Sequence, residues 1–270
     1  MASWPSSSGD SGSQSLCRLP DVIIAEAETM SHTHVRGTGQ ENWLLAMLPD
    51  DAYARVLALC ETIPMATKTI VIEPDVLIEY AHFPITGCLS VVALMKDRGR
   101  VEVGTVGWEG MSGLSFLHGV ETTRTQCITQ VAGTMRRITR QDMMTELGSH
   151  GELVGLLNLY ADVWISQIGQ GVACNGVHSI DKRLARWLLI THDRVIGDVL
   201  PLTHEFLAVM LAVRRASVTV AATALQNRRI IDYTHGKITV LDREQLEKAT
   251  CECYEMQRAS YEKLLPVTPD

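Results

Sequence analysis

The sequence predicts an α+β protein: a β-rich N-terminal half, then a long helix, then a helical head that ends in a hairpin. Three observations carry this. Between residues 68 and 138, short apolar runs alternate with turn residues at the spacing of an antiparallel sandwich or roll rather than a parallel sheet. Residues 152–174 hold an unbroken helical pattern, and residues 202–241 read as helix, tight turn, helix and short hairpin.

Residues 1–38 are rich in Ser, Gly, Thr and His and carry little periodic hydrophobicity, so a mostly disordered tail is expected there. It has no apolar core of signal-peptide length, and the chain nowhere offers ~18 unbroken apolar residues for a membrane span. A cytoplasmic chain with no membrane partner is the expectation. A short helix follows at 43–59. Strands are expected at 68–72, 76–83, 87–95 and 100–106, separated by Glu73-Pro74-Asp75, Pro84-Ile85-Thr86-Gly87 and Lys96-Asp97-Arg98-Gly99. A further pair, 125–131 and 134–138, comes after the glycine-rich loop 104–119.

Along 152–174 a seam of Leu153, Leu157, Tyr160, Trp164, Gln167 and Gly171 advances in steps of four and three. Such heptad spacing suits a helix packed along a twin. A helix packed on its own β domain fits the period equally well, because fewer than four clean heptads are present. Gly176-Val177-His178 then marks a hinge, and Ser179 caps a helix at 180–193 with Leu184, Trp187, Leu188 and Thr191 on one side.

In the head, Thr203 caps a short apolar helix through Met210, with small Ala208 where a second helix can approach closely. The turn falls near Leu211-Ala212-Val213. Arg214 and Arg215 open the second helix, whose inner stripe is Val218, Ala221, Ala222 and Leu225. The opposite face shows Arg214, Arg215, Ser217, Thr219 and Gln226. Arg forks onto guanine edges and phosphates, and Ser, Thr and Gln donate to either, so this face has the chemistry to meet a duplex. Thr234-His235-Gly236 closes the hairpin. The chain as a whole has a net charge of −7, which by itself argues against a nucleic-acid binder. Within 202–241 the sign reverses: Arg214, Arg215, Arg228, Arg229 and Lys237 stand against Glu205 and Asp232. A solvated helical face that happens to hold arginines fits the charge equally well.

Enzyme signatures do not appear. The glycine-rich loop lacks a phosphate-cradling motif, Gly110-Met111-Ser112-Gly113 misses the nucleophile-elbow spacing, and there is no paired-histidine zinc motif. The seven cysteines, at 17, 60, 88, 127, 174, 251 and 253, show no paired metal-ligand spacing. Buried structural thiols, and no metal site, are the expectation.

The order of these parts, with Tyr80-Ala81-His82-Phe83-Pro84-Ile85-Thr86-Gly87-Cys88-Leu89-Ser90, Ser179-Ile180-Asp181-Lys182-Arg183-Leu184-Ala185-Arg186-Trp187-Leu188 and the head at 202–240, resembles the Crp/Fnr family of bacterial transcription regulators over about 40–265. The resemblance implies an N-terminal antiparallel β-roll of jelly-roll type as sensor at 39–150, a dimerisation helix and hinge at 151–178, and a winged helix-turn-helix at 179–265. It implies double-stranded DNA, a second copy of the chain and RNA polymerase as partners. Arg215 matches the family arginine that reads guanine, whereas Ala216 and Val220 replace a glutamate and an arginine found in the best-known members. Arg214, Ser217 and Thr219 are placed to share the readout, and Thr203, Arg228 and Lys237 to meet phosphates. The effector loop of nucleotide-binding members corresponds to Gly110 and Met111, and their phosphate-binding pair to Arg124 and Thr125. Met111 stands where a glutamate accepts from the ribose, and a thioether cannot do so, which counts against a cyclic nucleotide. Cys17 alone in the tail counts against an iron–sulfur cluster, and His82, His118 and His178 read as structural rather than as haem ligands. The effector is therefore left open. The alternative is a sensory module of the same type that acts through protein contacts instead of DNA.

Overall fold

A computed structural model describes residues 41–96 and 99–264. The expected tail, with Cys17, lies outside the described residues. The first helical stretch is two helices, α1 (Trp43–Ala46) and α2 (Asp50–Ala58), rather than one. Pro49 separates them, because a proline pushes its predecessor out of the helical region. Asn42 caps α1 by accepting from Leu45 N, and its amide donates to Pro84 O and Gly110 O, which ties this corner to the sheet.

Five antiparallel strands form the N-terminal roll: β1 (Glu61–Met65), β2 (Ile70–Ile72), β3 (Tyr80–Met95), β4 (Gly99–Val106) and β5 (Thr125–Thr139). Their order is β1-β5-β3-β4, with β2 also on β5. The expected strands 76–83 and 87–95 merge into one that begins only at Tyr80, and 125–131 and 134–138 merge into β5. Pro84 to Gly87 bends β3 without ending it, and the β3–β5 register shifts there. A Cβ on Gly87 would stand 2.5 Å from Val131 O, and one on Gly133 would stand 2.1 Å from Thr86 O. The two long strands thus bend together, each through a glycine where the other's backbone presses. β1 was not expected. It holds Pro64, which an edge strand tolerates.

A 3-10 turn (Leu114–His118) leads towards β5, and α3 (Arg140–Ser149), also unexpected, starts at the Thr139 cap. Next comes α4 (Gly151–Val177), which runs through the expected hinge, so the change of direction falls at His178 and Ser179, both extended. The head follows: α5 (Ile180–His192), β6 (Val199–Leu200), α6 (His204–Met210), α7 (Arg215–Asn227), β7 (Ile231–Thr234), β8 (Lys237–Val240), α8 (Arg243–Ala249) and α9 (Cys253–Leu264). Strands β6, β8 and β7 form a small antiparallel sheet. No single helix among the described residues is long and apolar enough to cross a membrane.

The heptad seam of α4 does not face outwards. Leu153, Leu157, Tyr160 and Gln167 are buried within the chain; Gln167 donates to Thr105 O at 3.1 Å, and Trp164 lies over Gly104. The period that suited a twin is therefore satisfied within the chain, by the roll and by α9, whose Tyr261 donates to Gln167 Oε1 at 2.7 Å. What α4 leaves open is another stripe, with Ile165 at 67% and Val172 at 68% exposure and Gly155, Gly169 and Gly176 bare beside them.

Roll and head share buried apolar packing: Cys88, Val92, Ile128 and Val131 join the cluster of Leu184, Trp187, Leu188, Leu207 and Met210. Polar groups lock the seam. Trp187 Nε1 donates to Glu102 at 2.6 Å, Gln130 donates to Thr191 at 3.0 Å, and Trp108 Nε1 donates to Asp193 O at 3.0 Å. Arg194 pairs with Glu109 at 2.7 Å. Burial pushes the Glu102 carboxyl up to about 7, against the opposing pull of its hydrogen bonds from Ser90 and Trp187.

Candidate nucleic-acid interface

Helices α6 and α7 meet at 112°, the geometry of a helix-turn-helix. Thr203 caps α6, accepting from Phe206 N at 3.1 Å. Leu207, Ala208 and Leu211 bury against Val218, Ala221, Ala222 and Leu225, so the inner stripe read from the sequence is the packed one. The turn is closed by Val213 N donating to Ala208 O, and it places Ala212 at φ +52°, in the left-handed region that favours glycine.

With that stripe buried, the start of α7 points out. Arg214 is the N-cap residue and is exposed, with its side chain making no cap bond. Arg215 is exposed, and its Nε lies 3.8 Å from Glu205, a pair worth little in water. Ser217 is half-buried. Thr219 is exposed but engaged: its hydroxyl donates to Arg215 O at 3.1 Å and shares a hydrogen bond with His204 Nδ1 at 3.1 Å. Gln226 donates to Asp232 of β7. Arg228, the C-cap residue, and Lys237, at the start of β8, are both exposed.

Sequence reasoning did not single out the link between wing and reading helix. The His204 ring stacks on Tyr233 of β7, with centroids 3.9 Å apart, and bonds Thr219 of α7. Burial, and then the Arg215 charge, lowers the pKa of His204. A Cβ on Gly236 would stand 3.2 Å from the Thr203 methyl, so the wing tip sits beside the start of α6. Nor were Ala216, Val220 and Thr223 chosen as site residues, although all are exposed and Val220 is 72% so. Ala216, Val220 and Thr223 follow one another at spacings of four and three, one face of the helix, and that was the available signal. A bare valine there offers an apolar contact suited to a thymine methyl.

The four effector candidates stand in different surroundings. A Cβ on Gly110 would stand 2.3 Å from the Tyr160 hydroxyl, which itself donates to Met111 O. The Met111 side chain is core, packed in one cluster with Phe83 and Phe116. The Arg124 side chain is 92% exposed and pairs with Asp75, while Thr125 bonds Thr123. His82 is buried against Ser112, with its pKa lowered to about 4 by burial and then by the Arg137 charge.

Residues 182–249, within this head, match the sequence family of the Crp-like helix-turn-helix domain. The chain carries a Crp-like helix-turn-helix domain. Three solved structures extend the likeness to the Crp-type fold as a whole. FixK2 from Bradyrhizobium japonicum is 16% identical at a TM-score of 0.60, covering 71% of this chain and 98% of its own. A CRP-family transcriptional regulator from Thermus thermophilus is 18% identical at 0.59, covering 69% and 95%. A protein from Eubacterium rectale, described as a transcriptional regulator of the Crp/Fnr family, is 20% identical at 0.60, covering 81% and 100%. None of the curated proteins compared matches the chain. The roll, the long helix and the Crp-like head thus form a Crp/Fnr-type fold.

Proposed function

We propose that the chain is a dimeric, DNA-binding transcription regulator that is not an enzyme, with residues 39–150 as sensor, 151–178 as dimerisation helix and hinge, and 179–265 as reading head. One observation carries the reading: the only faces of α7 and the wing that the Crp-like core leaves bare, among the described residues, present Arg214, Arg215, Val220, Arg228 and Lys237. Arg215 reads a guanine edge and Val220 a thymine methyl, with Arg214 and the half-buried Ser217 beside them. Thr203, Arg228 and Lys237 hold phosphates. Thr219 orients this set through His204. A local basic patch on an acidic protein supports salt-sensitive, site-selective binding.

The second copy packs on the bare stripe of α4, where Gly155, Gly169 and Gly176 let two backbones approach closely around Ile165 and Val172. Two reading helices then meet successive major grooves about 34 Å apart. RNA polymerase, in the cytoplasm, is the further partner such a regulator addresses. With Met111 in the core and Arg124 turned outwards, the roll answers to an effector other than a cyclic nucleotide. Selection of duplexes from a random pool by the full chain tests the reading. The expected product is a two-fold site with half-sites one helical turn apart, and a pool left unenriched would overturn it.

A further inference from the structure

Three of the cysteines come together with a histidine. Cys174 lies in the last turn of α4 and His178 is the extended residue that caps it, its N–H donating to Cys174 O, while Cys251 and Cys253 flank Glu252 in the turn that opens α9. Their ligand atoms all lie within 4.8 Å of one another. We propose that Cys174, His178, Cys251 and Cys253 bind one zinc ion in a closed, tetrahedral, structural site.

The distances fit that ion. Zinc bonds of about 2.3 Å to sulfur and 2.0–2.1 Å to nitrogen place tetrahedral ligands about 3.8 Å apart sulfur to sulfur and about 3.5 Å apart sulfur to nitrogen. Cys174 Sγ lies 3.6 Å from Cys251 Sγ, and Cys253 Sγ lies 3.5 Å from His178 Nδ1. A multi-iron cluster with bridging sulfides needs more room between its cysteines than this group leaves.

The surroundings are those of a built site. His178 Nε2 faces Glu252 Oε1 at 3.3 Å, which places the proton on Nε2 and leaves the Nδ1 lone pair towards the sulfurs, the carboxylate–histidine–metal arrangement. Gln170 donates to Cys253 Sγ at 3.0 Å, a bond that suits a thiolate. Burial raises the Cys174 thiol and the nearby Arg186 charge opposes it, and the buried Nε of Arg186 has no hydrogen-bond partner among the described residues. Cys174, Cys251 and Cys253 are 0%, 5% and 2% exposed, so the site has no open position for a substrate and is structural. Binding converts three thiols to thiolates and releases three protons, and the imidazole of His178 coordinates through Nδ1. The zinc and its ligands then carry one negative charge, which Arg186 offsets.

The site joins the last turn of α4 to the start of α9 across the extended link at His178 and Ser179. The ion therefore fixes the joint between the long helix and the reading head. A disulfide is the competing use of the same atoms: Cys174 and Cys251 would have to close from 3.6 Å to about 2.05 Å, leaving Cys253 and His178 without a role.

The test uses the full chain, reduced and stripped of metal, titrated with Co2+ and then with Zn2+. We expect one Co2+ per chain with thiolate charge-transfer and tetrahedral ligand-field bands, displacement by one equivalent of Zn2+, and release of close to three protons per ion. Cys253→Ser should weaken binding at least about 100-fold, Glu252→Gln about 10–100-fold, and Cys60→Ser not at all. Absence of thiolate bands in the unmutated chain would overturn the proposal, as would a Cys174–Cys251 disulfide in metal-free protein purified without reductant. The unmutated chain decides the question even if Cys253→Ser does not fold.

Discussion

Replacing Arg194 by methionine removes the charge that clamps the head to the roll. Arg194 Nε and Nη2 lie 2.8 and 2.7 Å from the same Glu109 oxygen, and Nη1 donates to Thr105 Oγ1 at 2.7 Å and to Ile190 O at 3.2 Å. The two charged side chains are 6% and 8% exposed, so water does not replace the lost partner. Methionine keeps much of the packing of the stem and leaves the Glu109 carboxylate buried with, among the described residues, only Gly107 N donating to it. Breaking a buried pair from one side costs about 3–5 kcal/mol. The surviving Gly107 bond points to the lower end, about 3 kcal/mol, or a fall in melting temperature of roughly 6–12 °C for a chain of this size. Urea unfolding followed by circular dichroism and tryptophan fluorescence, at fixed protomer concentration, measures the loss. Adding Glu109→Gln should restore part of it by removing the stranded charge. A loss under about 1 kcal/mol, or a double variant no more stable than the single, would refute the reasoning.

Ala212→Gly should stabilise the head by about 0.5–1 kcal/mol, because the left-handed turn costs alanine more than glycine's chain entropy does; an unchanged or lower melting temperature counts against strain at that turn. Two buried groups titrate in opposite senses. The His82 pKa, lowered to about 4, gives stability that is present above the ordinary histidine value near 6.5 and lost as the pH falls towards 4, by at most about 3 kcal/mol. Glu102, pushed up to about 7, gives stability present below the ordinary carboxylate value of 4.5 and lost as the pH rises to 7. His82→Gln should flatten the acid limb of a melting-versus-pH curve and Glu102→Gln the neutral limb, and curves that stay parallel to the unmutated one would sink both assignments. Ile165→Asp, on the bare stripe of α4, should yield monomers in analytical ultracentrifugation with the helical circular dichroism signal unchanged; an intact dimer would move the interface elsewhere.

The head was legible because its punctuation is local. The Thr203 cap, the turn at Ala212 and the Thr234-His235-Gly236 corner each lie within a few residues of what they organise, and the inner stripe of α7 repeats at the helical period. The strand ends were not legible, because what keeps β3 running past Pro84 is Gly133, far along the chain, bending with it. The α4 seam shows the limit of periodicity. A heptad states that one face is covered, and only the contacts of Tyr160 and Gln167 show that the roll and α9 cover it. The effector candidates were chosen by resemblance, and neither the outward turn of Arg124 nor the packing of Tyr160 on Gly110 has a local signal. The cysteine and histidine group was invisible to spacing rules because its two halves lie 77 residues apart.

The central claim is that Arg215 reads DNA from the exposed start of α7. Fluorescence anisotropy, on the duplex that the unmutated chain selects, tests it across a salt series. Affinity should fall steeply with salt, and an Arg215→Ala variant should bind about 5–150-fold more weakly, from a loss of about 1–3 kcal/mol, with discrimination gone at one base pair of each half-site. Equal affinity of the two proteins for every duplex at every salt concentration would contradict it.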